Sequence, residues 1–434
     1  MGYQQSIDYL FGLQKFGIKL GLENISRLLS LLGNPHKSLH CIHVAGSNGK
    51  GSTCAFLQSI FTHAGYAAGL YTSPHLTDFT ERIRINDDCM PQAVVTELVA
   101  EIKKICKKNA LTNITFFEFT TAMAFHYFRL RRADPVIIET GMGGRWDATN
   151  VISPHVSIIT SLSMEHEKYL GKRIRDIARE KAGIIKQGIP LVSGVCCSTA
   201  QDVFLKRCLD EGSALFVSGR DFKIRKRQPG NFSFKGLGVT LPLLQSGLPG
   251  DHQFRNAALA LAGAVLMRNC GYQIDAHSLE KGIQAACWPG RFEQLCSHPA
   301  VIADGAHNPE GWRTLKKAIS TYFQYGKQIF ILGAMQDKAI DKMLKILTHD
   351  AYAIIVCRPR LERAADMEAF EKFISFSQKK RVFWIEKSTE AYSKALTLAC
   401  DKDIICITGS LFLVGELREK ILKKTGCSSG RIPL

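Results

Sequence analysis

The sequence predicts an α/β protein built on two mostly parallel sheets, the larger in its N-terminal part. Three observations carry this. Apolar runs such as PVIIETG and VSIITSLS lack polar alternation, as strands covered on both faces do. Between such runs lie stretches with apolar residues at three- and four-residue spacing, the period of a helix. The alternation breaks at WPGR, Trp288–Arg291, and then restarts, so the 434 residues are expected to form two domains, 1–288 and 289–434.

Taken in order, the polar N-terminus soon becomes an amphipathic helix pattern, and CIHVAG from Cys41 is the first buried strand. GKGSTCAFLQSIFTHAG is a helix that Gly65 stops. AAGLYTS is the next strand, AVVTELVAEIKKICKKN a helix with a basic exposed face, and FEFTTAMAFHYFRLRR another helix. From Phe222 to Leu244, alternating residues and glycine turns predict a small antiparallel ribbon at the edge of the sheet. Two helices follow, HQFRNAALALAGAVLMRNCG and AHSLEKGIQAACW. After WPGR the segments VIADGAHN, EGWRTLKKAISTYF, QIFILGAM, DKMLKILTHD, AYAIIVC and DIICITGS alternate as strands and helices of the second domain.

Composition narrows the function classes. At 46 % hydrophobic and 22 % charged residues, this is the make-up of a soluble globular protein. The longest apolar stretch, Ala257–Met267, is far short of the ~20 residues a membrane span needs. No signal-peptide pattern opens the chain, and MGYQQS fits a myristoylation pattern so short that chance explains it. A cytoplasmic protein with no membrane partner is expected. The formal net charge of +17 raises nucleic-acid binding, but the basic residues are spread along the chain, with short clusters such as Arg129/Arg131/Arg132 and Lys379/Lys380/Arg381. No basic stripe interleaved with aromatics occurs, so small anions, nucleotides and polycarboxylates, suit this surface better. The 14 cysteines include no C-x-x-C pair, which predicts reduced, mostly buried thiols rather than zinc sites or disulfides.

The chemistry begins at His43, in HVAGSNGKGSTCAFL. This is nearly G-x-x-x-x-G-K-[ST], but Lys50 is followed by Gly51, and the hydroxyls come at Ser52 and Thr53. A strand runs into Gly46 and a helix leaves from Gly49–Lys50, the geometry in which backbone N–H groups and a helix N-terminus gather around a phosphate. A plain glycine turn with an exposed lysine is the alternative, and the strand–loop–helix placement disfavours it. Gly46, Ser47, Asn48, Gly49, Lys50, Gly51 and Ser52 are therefore the expected ATP contacts. Lys50 supplies charge for the β/γ-phosphates, and Ser52 or Thr53 reaches a metal. The N-terminal domain is thus a P-loop ATPase type with a mostly parallel sheet, and the C-terminal one a smaller Rossmann-like unit. Glu139 ends the strand PVIIETG, where parallel sheets place ligands, and beside a phosphate loop it suits Mg²⁺. His166 reads equally as a ligand or a satisfied loop histidine, and Lys181 as an exposed helix lysine. Asp147 in GMGGRWDATN reads equally as a ligand acceptor or as glycine-turn scaffolding, while Phe116, Phe117 and Phe119 also fit a plain core.

GSNGKGST resembles the loop of the Mur ligase superfamily, whose members join a carboxylate to an amine using ATP. Within it, the chain is similar to the dihydrofolate synthase/folylpolyglutamate synthase family. GLYTSPHL with ERIRIN, ETGMGGRWDATN, MEHEKYLG, REKAGIIK, WPGRFE, DGAHNP and TGSLFLVGE follow in the family's order, as does the N-terminal YLFGLQKFGIKLGLENISRLLSLLGNP. The resemblance covers essentially the whole chain. It implies that Ser73, Glu139 and His166 bind metal, and that Lys181 is carbamylated to hold the second of two Mg²⁺ ions. Carbamylation needs a deprotonated amine, hence a site that lowers its pKa. Lys50, His166 and Lys181 are the implied catalytic groups. Asp147 and Ala148 in RWDAT, with Thr115 and Phe117 in TFFEF, are the implied pterin contacts. Asn256, Arg291 and Asp304 match nucleotide-contacting positions, and His307 and Ser410 are where the incoming glutamate is expected.

The implied reaction is ATP-dependent ligation of L-glutamate to dihydropteroate, and by analogy to folates, through an acyl phosphate. The first domain would bind ATP and the pterin, the second would be the glutamate-ligase domain, and the family implies a monomer. A muramyl-peptide ligase shares this architecture, but GMGGRWDATN and TSPHL favour folate. A P-loop kinase or motor ATPase leaves the second α/β domain unexplained. A basic nucleic-acid-binding protein with an NTPase loop rests on net charge alone.

Overall fold

The computed structural model describes residues 2–17, 19, 21–164, 167–347, 351–361, 363–373 and 381–425. The chain divides into two compact units, one of Met1–Arg227, Asn231–Ser246 and Gln253–Ala286, the other of Gln228–Gly230, Gly247–His252 and Cys287–Leu434.

In the first unit eight strands form one sheet: β1 (Cys41–Ala45), β2 (Gly69–Tyr71), β3 (Ile83–Ile85), β4 (Asp88–Cys89), β5 (Val136–Glu139), β6 (Val156–Ile159), β7 (Leu191–Ser193) and β8 (Leu215–Val217). Their order is β4-β3-β2-β5-β1-β6-β7-β8. All neighbours from β2 to β8 run parallel, and β3 and β4 turn back antiparallel at one edge. Every residue of β1, β2, β5, β6 and β7 is buried, which is why these segments carry no polar alternation. The chain leaves β1 toward β2 on one side and later reaches β6 on the other. The crevice at the carboxyl end of β1 is therefore a switch point, where open α/β sheets hold ligands.

Helices Tyr3–Gly12, Glu23–Leu31, Gln92–Lys108 and Phe116–Leu130 contribute to one apolar core, and Ile174–Ala182 and Ser198–Asp210 to another. Asp251–Met267 is buried on nearly every side. Its Gly263 lies against Ile158 of β6 and Leu57 of helix Lys50–His63, so small residues let it come close to the sheet.

The Phe222–Leu244 region is antiparallel, as its alternation predicts, but it does not extend the edge of the large sheet. β9 (Phe222–Lys226), β10 (Asn231–Gly236) and β11 (Val239–Gln245) form a separate three-stranded sheet in the order β11-β10-β9. Phe222, Phe232, Phe234, Leu241 and Leu244 are buried, and Phe232 stacks on Phe254 of the long helix at 4.9 Å. Burial against that helix, rather than pairing with β8, holds the ribbon.

The second unit carries β12 (Glu293–Ser297), β13 (Ala300–Ala303), β14 (Gln328–Leu332), β15 (Ala353–Val356), β16 (Val382–Trp384) and β17 (Ile404–Thr408), in the order β12-β13-β17-β14-β15-β16. Only β12 pairs antiparallel. Trp312, Phe330, Leu344 and Phe370 are among the side chains of its core. The molecule is thus α/β in both units, as the alternation requires.

Two expectations need correction. None of the described cysteines is in a disulfide, yet they are not mostly buried: Cys41, Cys54, Cys106, Cys208, Cys357 and Cys406 are, but Cys196, Cys197, Cys270, Cys287 and Cys400 are exposed. The exposed ones lie outside the strands and α-helices, where no core is there to cover them. Lys181 is not an exposed helix lysine but only 1 % accessible. Among the described residues, no helix is long and apolar enough to cross a membrane.

Candidate active site

The loop after β1 is shaped by its glycines and by the segment that follows β6. Gly46 and Gly49 have φ of 150° and 85°, and an added Cβ would collide with Thr160 Oγ1 at the first and Asn256 Oδ1 at the second. Ser47 N donates to Ser161 O at 2.9 Å and Asn48 N to Ser161 Oγ at 2.9 Å, while Thr160 Oγ1 donates to Asn48 O at 2.7 Å. These bonds commit the amides of Ser47 and Asn48. The amides left for an anion are then those of the first turn of helix Lys50–His63, whose N-cap is Gly49 and which has no side-chain cap. Lys50 Nζ lies over the loop, donating to Gly46 O at 3.0 Å. Asn256, from a helix some two hundred residues later, is brought against Gly49, as a nucleotide contact would have to be.

Glu139 closes β5 beside Val44 of β1 and is 5 % exposed. Its Oε2 accepts from Ser73 N at 3.1 Å, so two predicted metal-binding residues meet at adjacent strand ends. The buried hydroxyls of Thr140, which follows Glu139, and of Thr53, in the first turn after the loop, have no hydrogen-bond partner among the described residues. A buried carboxylate and hydroxyl oxygens are hard donors, and Mg²⁺ takes one or two carboxylates together with phosphate and water. The set fits that ion. His166, predicted as a further ligand, lies outside the described residues. Among the described residues no three His, Cys, Asp or Glu side chains converge on one point.

Thr115, Phe117, Asp147 and Ala148, two pairs some thirty residues apart, line one cavity of about 210 Å³ in this unit. Each arrives by a different local device. Thr115 caps helix Phe116–Leu130 in a reciprocal box: its Oγ1 accepts from Glu118 N at 3.2 Å, and Glu118 Oε2 accepts from Thr115 N at 2.8 Å. Phe117 stacks on Tyr71 of β2 at 6.1 Å and fills the space against Gly141, where a Cβ would strike its ring. Asp147 is buried, and its carboxylate organises its own loop. Oδ2 accepts from Met142 N at 2.8 Å, and Oδ1 from Thr149 N at 3.0 Å and Thr149 Oγ1 at 2.5 Å. Burial raises its pKa while these bonds oppose the rise. A carboxylate has about four acceptor directions, and a further bond from the Gly141 backbone takes up the fourth, so a ligand N–H would share an oxygen that is already bonded. The two readings of this residue, scaffold and acceptor, are both compatible with its geometry.

Sequence reasoning missed other cavity residues, among them Lys19, Glu118, Trp146, Tyr169 and Glu180. Glu180 neighbours Lys181 on helix Ile174–Ala182, whose last turn packs under the glycine loop: Arg145 N donates to Glu180 O at 2.8 Å. A Cβ at Gly144 would approach the carbonyls of Glu180 and Lys181 to 2.8 and 3.0 Å. That packing buries Lys181. His43, in mid-strand of β1, was also missed, although a histidine inside the apolar run CIHVA was a visible signal.

In the second unit, the remaining predicted residues collect at the carboxyl ends of β13 and β17. Asp304 is buried, accepting from Ala306 N and Phe292 N, each at 2.8 Å. Burial pushes its pKa up, and the Arg291 guanidinium and these bonds pull against that. His307 Nδ1 donates to Gly305 O at 2.9 Å, and Ser410 Oγ accepts from Phe412 N at 3.2 Å. Gly409 N donates to Ala306 O at 2.9 Å, stitching the His307 and Ser410 loops together.

Residues 44–264 match the Mur ligase middle domain, and residues 290–411 match the domain described as Mur ligase, glutamate ligase domain. The chain is 36 % identical to the dihydrofolate synthase/folylpolyglutamate synthase of Bacillus subtilis, over 96 % of this chain and 99 % of that protein. It is similar to the structure of Mycobacterium tuberculosis folylpolyglutamate synthase complexed with ADP, with a TM-score of 0.89, 31 % identity and coverage of 99 % and 100 % of the two chains. The structure of Escherichia coli FolC in complex with DHPP and ADP matches with a TM-score of 0.88 and 29 % identity, over 97 % of this chain and 98 % of that one. With a phosphate loop at the switch point and relatives aligned along the full chain, this protein belongs to the dihydrofolate synthase/folylpolyglutamate synthase family of the Mur ligase superfamily.

Proposed function

We propose that the protein is an ATP-dependent ligase that joins L-glutamate to dihydropteroate and to folates. One observation carries this reading beyond the family: four residues expected to touch a pterin line a single cavity, whose Phe117 wall abuts Tyr71, two residues before Ser73. A flat heterocycle would lie against Phe117 and offer N–H groups to Asp147, while its carboxylate end turns toward the phosphate loop. The relatives complexed with ADP and with DHPP support the same pairing of ligands.

In the reaction, a carboxylate oxygen of the pterin substrate attacks the γ-phosphorus of ATP, the bond to the β-phosphate oxygen breaks, and ADP leaves. The α-amine of glutamate then attacks the acyl carbon, loses a proton, and displaces phosphate. Lys50 and the first-turn amides hold the phosphates and offset charge on the transferred group. Mg²⁺, when bound, neutralises the phosphate oxygens, with Glu139 and Ser73 as its holders and His166 and carbamylated Lys181 completing two sites. Burial takes the Lys181 amine out of water, where an ammonium is most stable, and this supports its carbamylation. We assign Asn256, Arg291 and Asp304 to the nucleotide, and His307 and Ser410 to glutamate, with residues 1–288 serving ATP and pterin and 289–434 serving glutamate transfer. The reading needs no nucleic acid or membrane, and we place the enzyme in the cytoplasm as a monomer.

The test is a product profile. Purified protein with ATP and glutamate should release ADP in the presence of dihydropteroate, and of tetrahydrofolate, with glutamate appearing in the product. No glutamate-dependent ADP release with either acceptor overturns the proposal.

A further inference from the structure

We infer that His43 is a positioning residue for the pterin end of the cavity, acting through Thr149 on Asp147. The inference rests on the function proposed above and concerns a residue outside the cavity lining. His43 lies in the middle of β1, fully buried, between Ile138 of β5 and Ser157 of β6. Its Nε2 is 2.8 Å from Thr149 Oγ1, which is in turn 2.5 Å from Asp147 Oδ1.

The direction of the protons follows from the groups themselves. A carboxylate only accepts, so the single hydroxyl proton of Thr149 goes to Asp147. Thr149 Oγ1 must then accept from His43, which therefore carries its proton on Nε2 and is neutral. Burial and the Lys186 ammonium keep it so, pulling its pKa down to about 3. The other ring nitrogen, Nδ1, is buried and has no hydrogen-bond partner among the described residues. An unpartnered buried nitrogen costs stability, and an apolar side chain at this strand position would avoid that cost. The Nε2–H is what the imidazole supplies in return.

Its effect is to lock the Thr149 hydroxyl on Asp147. Without that donor the hydroxyl is free to rotate, and Oδ1 keeps only the longer bond from Thr149 N at 3.0 Å. The carboxylate can then pivot about the Met142 N–Oδ2 bond, and the edge that Asp147 presents to the cavity is no longer fixed. The loss falls on recognition of the pterin, a hydrogen bond to a charged group, and not on the chemistry of the phosphoryl transfer.

Because β1 also leads into the phosphate loop, the experiment must separate the two. Steady-state kinetics on His43→Leu, His43→Gln, Thr149→Val and the double variant His43→Leu/Thr149→Val would do so. His43→Leu should raise KM for dihydropteroate about tenfold or more, with KM for ATP and for glutamate within about twofold. His43→Gln, which restores an N–H near the Nε2 position, should recover most of the loss. The double variant should be no worse than the worse single one, since both break one relay. An unchanged dihydropteroate KM, an equal rise in KM for ATP, a His43→Gln variant as poor as His43→Leu, or additive losses would each overturn the inference. Should His43→Leu fail to fold, Thr149→Val carries the test alone, and a normal dihydropteroate KM in it is equally fatal. A wild-type protein without glutamate-dependent ADP release would sink the ligase reading itself, whereas an active wild type with indifferent variants sinks only the relay.

Discussion

Lys50 and Lys181 show how differently two lysines proposed for one site can be read. Lys50 is bracketed by glycines between a strand and a helix, so its place at a helix N-terminus follows from local pattern, and its ammonium is found over Gly46 O. Replacing it with alanine removes the charge that we propose meets the phosphates. Glutamate-dependent ADP release in Lys50→Ala should fall at least about a hundredfold, a loss typical of a group stabilising transition-state charge. Undiminished turnover in a coupled ADP assay would count against the loop assignment. Lys181 lies three and four residues after the buried Ala178 and Ile177, so helical spacing puts it on the inward face although its own side chain carries charge. The glycine loop, some forty residues earlier, lies across the last helical turn and packs on the carbonyls of Glu180 and Lys181, a contact that no local pattern encodes. Intact-mass and peptide spectra recorded with bicarbonate present should show the increment of one carboxyl group on Lys181. A bare lysine under those conditions removes this ligand from the proposal.

Among the elements, helix Phe116–Leu130 links stability to the cavity most directly. Its start is legible from the sequence, since Thr115 followed by Glu118 makes a capping box ahead of an apolar run. What the spacing left open is whether Phe116, Phe117 and Phe119 serve the core or a ligand. The structure divides them: Phe119 is fully buried, whereas Phe117 lines the cavity. Thr115→Ala deletes the cap, and its denaturation midpoint should drop by the equivalent of about 1 kcal/mol. Thr115→Ser should restore that stability, as serine caps equally well, and a variant pair with identical midpoints would show that the box is not holding the helix. The ribbon β9–β11 teaches the complementary lesson. Alternation predicted its antiparallel pairing, but which neighbour buries its apolar face was decided by Phe254, which lies outside the ribbon.

On the scale of the whole molecule, two histidines held neutral by their surroundings tie folding to pH. His43 and His75 are both pulled down to about 3, mainly by burial, the first helped by Lys186 and the second by Arg82. Because the folded pKa lies below the unfolded value of ~6.5, the unfolded chain takes up these protons first as the pH falls. Their contribution is fully present above pH ~6.5 and is lost as the pH falls toward 3. Each such histidine costs up to about 1.4 kcal/mol per pH unit in that window. Urea midpoints measured at pH 7 and pH 5 should therefore fall for the wild type and fall less for His43→Gln. Equal losses in both proteins would mean that His43 takes up a proton in the folded state.

What the sequence determined by itself is whatever repeats with short period or sits at adjacent positions. The strand and helix patterns, the α/β class, the phosphate loop, and the capped start of helix Phe116–Leu130 all depend on residues within one turn or one strand of each other. Tertiary structure alone decided the rest. It gathered Thr115, Phe117, Asp147 and Ala148 around one cavity, set Asn256 against Gly49, and sank Lys181. It also stood His43 behind Thr149, one hydroxyl away from the Asp147 carboxylate. The reason is physical: periodicity reports which side of an element seeks an apolar neighbour, while the identity of that neighbour depends on how strands separated by a hundred residues line up in a sheet.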